Sequence, residues 1–254
     1  MSLSIAVAGD GPDLVLLHGW GAHGGVWGEV IERLAQHFRV HVVDLPGHGR
    51  SPPGAQGALR GLADHLASVF PRAVGVAGWS LGGQVAIEWA LAAPGHVRGL
   101  ALLASTPCFV ERTDWAHGMQ AEIFDAFAQE LERDGPATLA RFAALQVLGS
   151  AHAQSTRATL RRWLSQARAP APADLAEGLQ LLRATDLRAR LGAVQAKCVV
   201  IHGTQDRIAP LAAGAFLAAA LPCARFEAVD GAGHVPFLSH PETCVQIIRG
   251  LADD

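Results

Sequence analysis

Six short apolar runs, spread along 254 residues, constrain this chain more than any other feature. They are DLVLLHG (13–19), VHVVDLPG (40–47), AVGVAGW (73–79), VRGLALLAS (97–105), KCVVIHG (197–203) and ARFEAVDG (224–231). Each is close to continuous rather than alternating. A strand of that kind needs apolar partners on both faces, which is the situation inside a parallel sheet covered by helices. Helical patterns at 26–37, 57–69, 81–93, 211–221 and 241–251 fall between the runs. Strand and helix in alternation imply an α/β fold, a mostly parallel central sheet with right-handed crossovers. Half of the residues are hydrophobic and 17% are charged, below the roughly 25% usual in soluble domains, which fits a sheet buried on both sides.

The alternation stops between positions 107 and 190. That stretch has no strand candidate, but it has helical patterns near 115–133, 137–148, 153–168 and 174–184. The segment ARAPAPADL (167–175) breaks two of these apart, because each proline ends a helix and extends the residue before it. The expected organisation is a core formed by 1–106 and 191–254, with a helical cap at 107–190 inserted between two core strands. The uncharged run 208–224 is bracketed by Pro210 and Pro222 and filled with alanine, so it reads as a buried helix rather than a membrane span.

A net charge of −3 does not provide the basic surface that nucleic acid requires. The four cysteines, Cys108, Cys198, Cys223 and Cys244, form no C-x-x-C pair and are expected to be reduced core residues. The opening MSLSIAVAGDG has no basic segment and reaches a turn at once. A secretory leader is therefore not expected there, and a cytoplasmic monomer without membrane attachment is.

One serine stands out. In GVAGWSLGGQVAIEWA (75–90), Ser80 follows a strand candidate and precedes a helix, with Gly78 two residues before it and Gly82 and Gly83 just after. Glycines at these positions weaken regular structure, but they permit the sharp G-x-S-x-G strand–turn–helix in which a side chain would collide. That turn lifts the hydroxyl out of the backbone at the positive end of the next helix. A serine alcohol is a weak nucleophile until a base removes its proton, and the base needs a third group to orient it. Asp206, in VVIHGTQDRIAP after one C-terminal strand, and His234, in VDGAGHVPF after the last, follow the serine in the order nucleophile, acid, base. All three loops would open at the carboxyl edge of the sheet, where such folds bind ligands. Asp230 is a rival acid, but it ends a strand four residues before His234 and reads as a turn residue. Asp44 precedes the serine and breaks the order.

The remaining need is a pair of backbone N–H groups aimed at a developing oxyanion. Leu81, after the nucleophile, would supply one. The loop HGWG (18–21) would supply the other, with Trp20 as the best-placed donor. Twelve histidines raise the question of a metal, yet no H-x-H or H-E-x-x-H spacing occurs, and His18, His41, His48 and His202 read as capping and core residues. No metal and no cofactor is expected.

These motifs resemble the α/β-hydrolases along the full chain. More narrowly, LVLLHGWG (14–21), VDLPGHGRS (43–51), GWSLGGQVA (78–86), ASTPCF (104–109), RFAALQ (141–146) and SHPE (239–242) resemble the pimeloyl-acyl-carrier-protein methyl ester esterase family of biotin synthesis. The resemblance implies a serine carboxylesterase with Ser80, Asp206 and His234 as its triad, Trp20 and Leu81 at the oxyanion site, and an ester carried on acyl-carrier protein as substrate. It also implies that Phe142, Ala143, Ala144, Leu145 and Gln146 line an acyl pocket, together with Trp20, Ser80, Leu81 and His234. Cap arginines would dock the acidic carrier, and here they are shifted rather than aligned one for one with the family. Arg141, Arg157, Arg161 and Arg162 are the candidates, in a stretch from Gly135 to Pro170 without an acidic residue. At 100° per residue Arg157, Arg161 and Arg168 would share one helix face. A general short-chain carboxylesterase, an enol-lactonase with the same triad, and a noncatalytic hydrolase-fold receptor are the alternatives.

Overall fold

A computed structural model describes residues 2–54 and 58–251. Position 57 of one expected helix, and positions 1, 55–57 and 252–254 of the expected core, lie outside those residues. The strands are β1 (Ile5–Ala8), β2 (Asp13–Leu17), β3 (Arg39–Val43), β4 (Val74–Trp79), β5 (Val97–Leu103), β6 (Lys197–Gly203) and β7 (Ala224–Val229). They form one sheet in the order β1-β3-β2-β4-β5-β6-β7, parallel throughout except for β1, which runs antiparallel to β3 at one edge.

The helices that follow these strands are α1 (Glu29–Leu34), α2 (Leu59–Val69), α3 (Leu81–Ala92), α8 (Leu211–Ala220), α9 (Pro236–Ser239) and α10 (Pro241–Arg249). Successive strand residues divide between the two faces, which is why the runs are continuous. Val15 and Leu17 of β2 and Val200 of β6 pack with α2, α3 and α8. Leu14, Leu16, Val199 and Ile201 pack with α1 and α10 on the other side. Each such side chain contributes about 1.5–3 kcal/mol by leaving water. Between β5 and β6 lie α4 (Ala121–Arg133), α5 (Gly135–Leu145), α6 (Ala153–Leu164) and α7 (Pro172–Ala184). None of the helices among the described residues is long and apolar enough to cross a membrane.

The structure corrects several expectations. β1 was not among the six expected strands: it is four residues long and half exposed, so it lacks a continuous apolar signal. The helix expected from 26 begins at Glu29, because Gly28 takes a φ of +50° and closes a 3₁₀ turn over Gly24–Trp27. The helix expected from 115 begins at Ala121. Residues 108–119 instead fold back on themselves through bridges between Val110 and Met119 and between Arg112 and Trp115. The helix expected to run to 168 ends at Leu164, where the Ser165 hydroxyl donates to the Arg162 carbonyl. Arg168 therefore lies beyond the helix and does not share a helical face with Arg157 and Arg161. Among the cysteines, Cys223 is exposed, not a core residue. Cys198 and Cys244 are buried, and burial pushes both thiols up to about 12.

Candidate active site

The turn after β4 is strained, and its surroundings explain how it persists. Ser80 has φ +54° and ψ −116°, a conformation that L residues rarely adopt. A Cβ on Gly78 would stand 2.4 Å from the Gly82 carbonyl oxygen, and one on Gly82 would stand 2.3 Å from that of Leu17. Only glycine admits so close an approach. The backbone of Ser80 is held from β5: its N–H donates to the Leu103 carbonyl at 2.9 Å, and its carbonyl accepts from the buried Ser105 hydroxyl at 2.9 Å. Ala104, between them, is also left-handed, with φ +46°. Ser80 is thus held by the residues on either side of Ala104, whose own N–H donates to the Ile201 carbonyl at 2.8 Å.

The loops after β6 and β7 meet at this turn. His234 Nε2 lies 3.1 Å from Ser80 Oγ, and His234 Nδ1 lies 2.8 Å from Asp206 Oδ2. The carboxylate can only accept, so Nδ1 carries the proton and Nε2 is left with its lone pair facing the serine hydroxyl. Asp206 Oδ1 accepts from the N–H groups of Ile208 at 2.8 Å and Ala209 at 3.0 Å, which fixes the carboxylate. Asp206 and His234 are buried, whereas Ser80 is partly accessible. The rival acids lie elsewhere. Exposed Asp230 accepts from the Thr204 hydroxyl at 3.2 Å. Asp44 accepts from the N–H groups of Gly24 and Arg50, at 2.7 and 2.9 Å.

His202 is a member that sequence reasoning read only as a core residue. It is fully buried, its Nε2 donates to the Ala209 carbonyl at 2.8 Å, and the same nitrogen lies 3.4 Å from Asp206 Oδ2. It braces the turn that carries the carboxylate. Burial holds its pKa below the ordinary histidine value. Its position four residues before Asp206 was the available signal.

The HGWG loop passes directly beside the elbow: a Cβ on Gly19 would stand 3.2 Å from that of Ser80. His18 braces it, accepting from the Leu45 N–H at 2.9 Å and donating to the Gly19 carbonyl at 2.8 Å. Among the described residues, the backbone N–H of Trp20 has no hydrogen-bond acceptor, and neither does that of Leu81, the first residue of α3. Two unspent donors next to an accessible hydroxyl suit a developing negative charge.

The inserted helices supply the rest. Phe142 is half-buried and meets the Trp20 ring edge to face, with centroids 5.2 Å apart. Ala143 is buried and Ala144 half-buried, but Leu145 is 44% exposed. Gln146 acts through its backbone, whose carbonyl accepts from the His234 N–H at 2.8 Å. Arg141 is tied to Glu130 at 2.5 Å, and Arg162 stands 4.0 Å from Glu29 and stacks over Trp163. Arg157 and Arg161 are exposed and have no ion-pair partner among the described residues.

A model of the alpha/beta hydrolase family matches residues 14–247. The pimeloyl-[acyl-carrier protein] methyl ester esterase of Nitrosomonas europaea is 46% identical over 250 residues, covering 98% of this chain and 99% of its own length. The enzyme of the same name from Xanthomonas oryzae pv. oryzae is 48% identical over 249 residues, covering 97% of each chain. Among solved structures, an esterase from Exiguobacterium antarcticum superposes with a TM-score of 0.90 at 23% identity, covering 99% of this chain and 96% of its own. That last likeness concerns the fold alone.

Proposed function

The chain belongs to the alpha/beta hydrolase family, and we propose that it cleaves pimeloyl-[acyl-carrier protein] methyl ester to the free acid and methanol through an acyl-enzyme on Ser80. It is a hydrolase of the carboxylic ester type, the activity for which its near full-length relatives are named. The observation that carries the mechanism is the hydrogen-bonded chain Ser80–His234–Asp206. His234 Nε2 takes the hydroxyl proton as Ser80 Oγ attacks the ester carbonyl carbon. The carbonyl oxygen becomes an oxyanion and accepts from the N–H groups of Trp20 and Leu81. When the carbonyl re-forms, the bond to the methoxy oxygen breaks and the His234 imidazolium protonates that oxygen, releasing methanol. Water then attacks the acyl carbon and gives its proton to His234. Collapse of the second tetrahedral species returns the proton to Ser80 Oγ and releases the acid. Asp206 holds the imidazole in the required tautomer and stabilises its charged form.

The carrier-bound substrate is supported by relatives at 46–48% identity and by the exposed guanidinium groups of Arg157 and Arg161 on α6, without an ion-pair partner among the described residues, which suit an acidic partner. Phe142, Ala143 and Ala144 would contact the acyl chain. The experiment compares turnover of the carrier-bound methyl ester with that of a p-nitrophenyl ester of a short acid. Preference for the carrier-bound ester in kcat/KM supports this reading. Equal or better use of the free ester would favour a general carboxylesterase, and turnover of neither would leave a noncatalytic ligand receptor.

A further inference from the structure

The side chain of Trp20 packs among the inserted helices. Its indole N–H donates to the Leu175 carbonyl of α7 at 2.9 Å. The ring meets Phe127 of α4 and Phe142 of α5 edge to face, at centroid distances of 5.6 and 5.2 Å. On the fourth side it lies against Gly178 of α7, where a Cβ would stand 2.6 Å from indole Cδ1 and 3.0 Å from Nε1. Trp20 is buried, with the ring enclosed by these contacts. Gly178 sits inside a thirteen-residue helix, a position where glycine is unfavourable relative to alanine. The helix accepts that local cost where the Cδ1–Nε1 edge of the indole comes against its backbone.

We propose that α7, through Gly178 and the Leu175 carbonyl, positions the oxyanion-binding amide by gripping the Trp20 side chain. The inserted helices thus help to form the machinery of the transition state and do more than enclose substrate. Trp20 belongs to a short loop, with Gly19 packed on the elbow and Gly21 at φ +69°. A ring pinned by three helices leaves its own Cα little freedom, and the N–H is one bond from that Cα. Gly178 and Leu175 touch no reacting atom in this account, so they are positioning residues. The inference rests on the reading of Ser80 as nucleophile and of the Trp20 N–H as an oxyanion donor.

The test is Gly178→Ala in the full chain, assayed on a short p-nitrophenyl ester and with an alkyl trifluoromethyl ketone, which forms a tetrahedral adduct with a nucleophilic serine. Loss of one oxyanion donor costs about 10²–10³ in rate, and a misplacement of about 1 Å costs on the order of 10². A fall in kcat of roughly 10- to 100-fold is therefore expected, with KM within about threefold of the parent and ketone affinity weakened in step with kcat. In a Trp20→Phe background, whose smaller ring leaves room for the methyl group, the same Gly178→Ala change should cost less than about twofold. If Gly178→Ala does not fold, Trp20→Phe alone decides: kcat and ketone affinity should fall together. Unchanged kcat, or an effect confined to KM or to melting temperature, would overturn the proposal. Ser80→Ala separates the two layers. An active Ser80→Ala protein would remove the underlying reading, whereas an inactive one beside an unimpaired Gly178→Ala protein would remove only the role of α7.

Discussion

The main-chain N–H of His234 donates to the carbonyl of Gln146 at 2.8 Å, tying the loop that presents the imidazole to the end of α5. The loop is held from the other side by the Trp79 indole, which donates to the His234 carbonyl at 2.8 Å. His234 is thus fixed between the sheet and the inserted helices. The next residue back leaves no slack, since a Cβ on Gly233 would stand 2.7 Å from the Gln146 carbonyl oxygen.

Gly233→Ala should therefore push the loop off Gln146 and displace the imidazole. The expected outcome is a loss of tenfold or more in kcat on any ester, because sub-ångström placement of the base governs the rate. The circular dichroism spectrum should stay that of the parent. Steady-state kinetics check it, and parental turnover would show that the contact is dispensable.

Asp206 and Asp230 should separate sharply. Asp206→Asn leaves the shape but places the wrong tautomer on His234, at an expected cost of roughly 10⁴ in turnover. Asp230→Asn removes only an exposed turn contact with Thr204, and its turnover should stay within about twofold of the parent. The opposite ranking in a side-by-side assay would assign the acid to Asp230.

Stability should fall with acid through buried histidines. Burial is the first cause lowering the pKa of His18, His48 and His202 below 6.5. The unfolded chain then binds more protons than the folded one once the pH drops below that value. Stability is complete above about 6.5 and is lost as the pH falls toward the folded-state values, by up to about 1.4 kcal/mol per pH unit for each histidine. Urea unfolding at pH 7.5 and pH 5 should show this loss, and His202→Gln should make it shallower. A flat profile would mean that these rings are protonated in the fold.

On α6, Arg157→Glu with Arg161→Glu should weaken activity toward a carrier-bound ester and spare a small free ester. Added salt should shrink the difference, since steering by exposed charge is screened. Equal losses on both substrates, or none on either, would take the carrier away from this helix.

What could be read from the sequence was local. Five of the six expected strands are buried on both faces and are continuous apolar runs, whereas β7, expected to be the same, is a sheet edge that is mostly half-buried or exposed. The elbow is written in neighbouring glycines, so these features are visible within a few residues. β1 is a half-exposed four-residue edge with Val7 50% accessible, and it carries no such pattern. α6 ends at Leu164, short of the expected 168, which placed Arg168 off the face it was expected to share. The bracing of the site was less legible still. Trp20 meets Leu175 across 155 positions, and the partner of His234 at Gln146 is a backbone carbonyl, a group every residue possesses. His202 looked ordinary because a buried histidine beside a strand end usually is.

The most direct measurement is methanol release from pimeloyl-[acyl-carrier protein] methyl ester by the parent protein and by Ser80→Ala, with the intact mass of each protein recorded during turnover. The parent should release methanol and carry a transient pimeloyl-carrier adduct that maps to Ser80. Ser80→Ala should be folded, carry no adduct and release methanol at the background rate. Methanol release by Ser80→Ala at a substantial fraction of the parental rate would contradict the account at its centre.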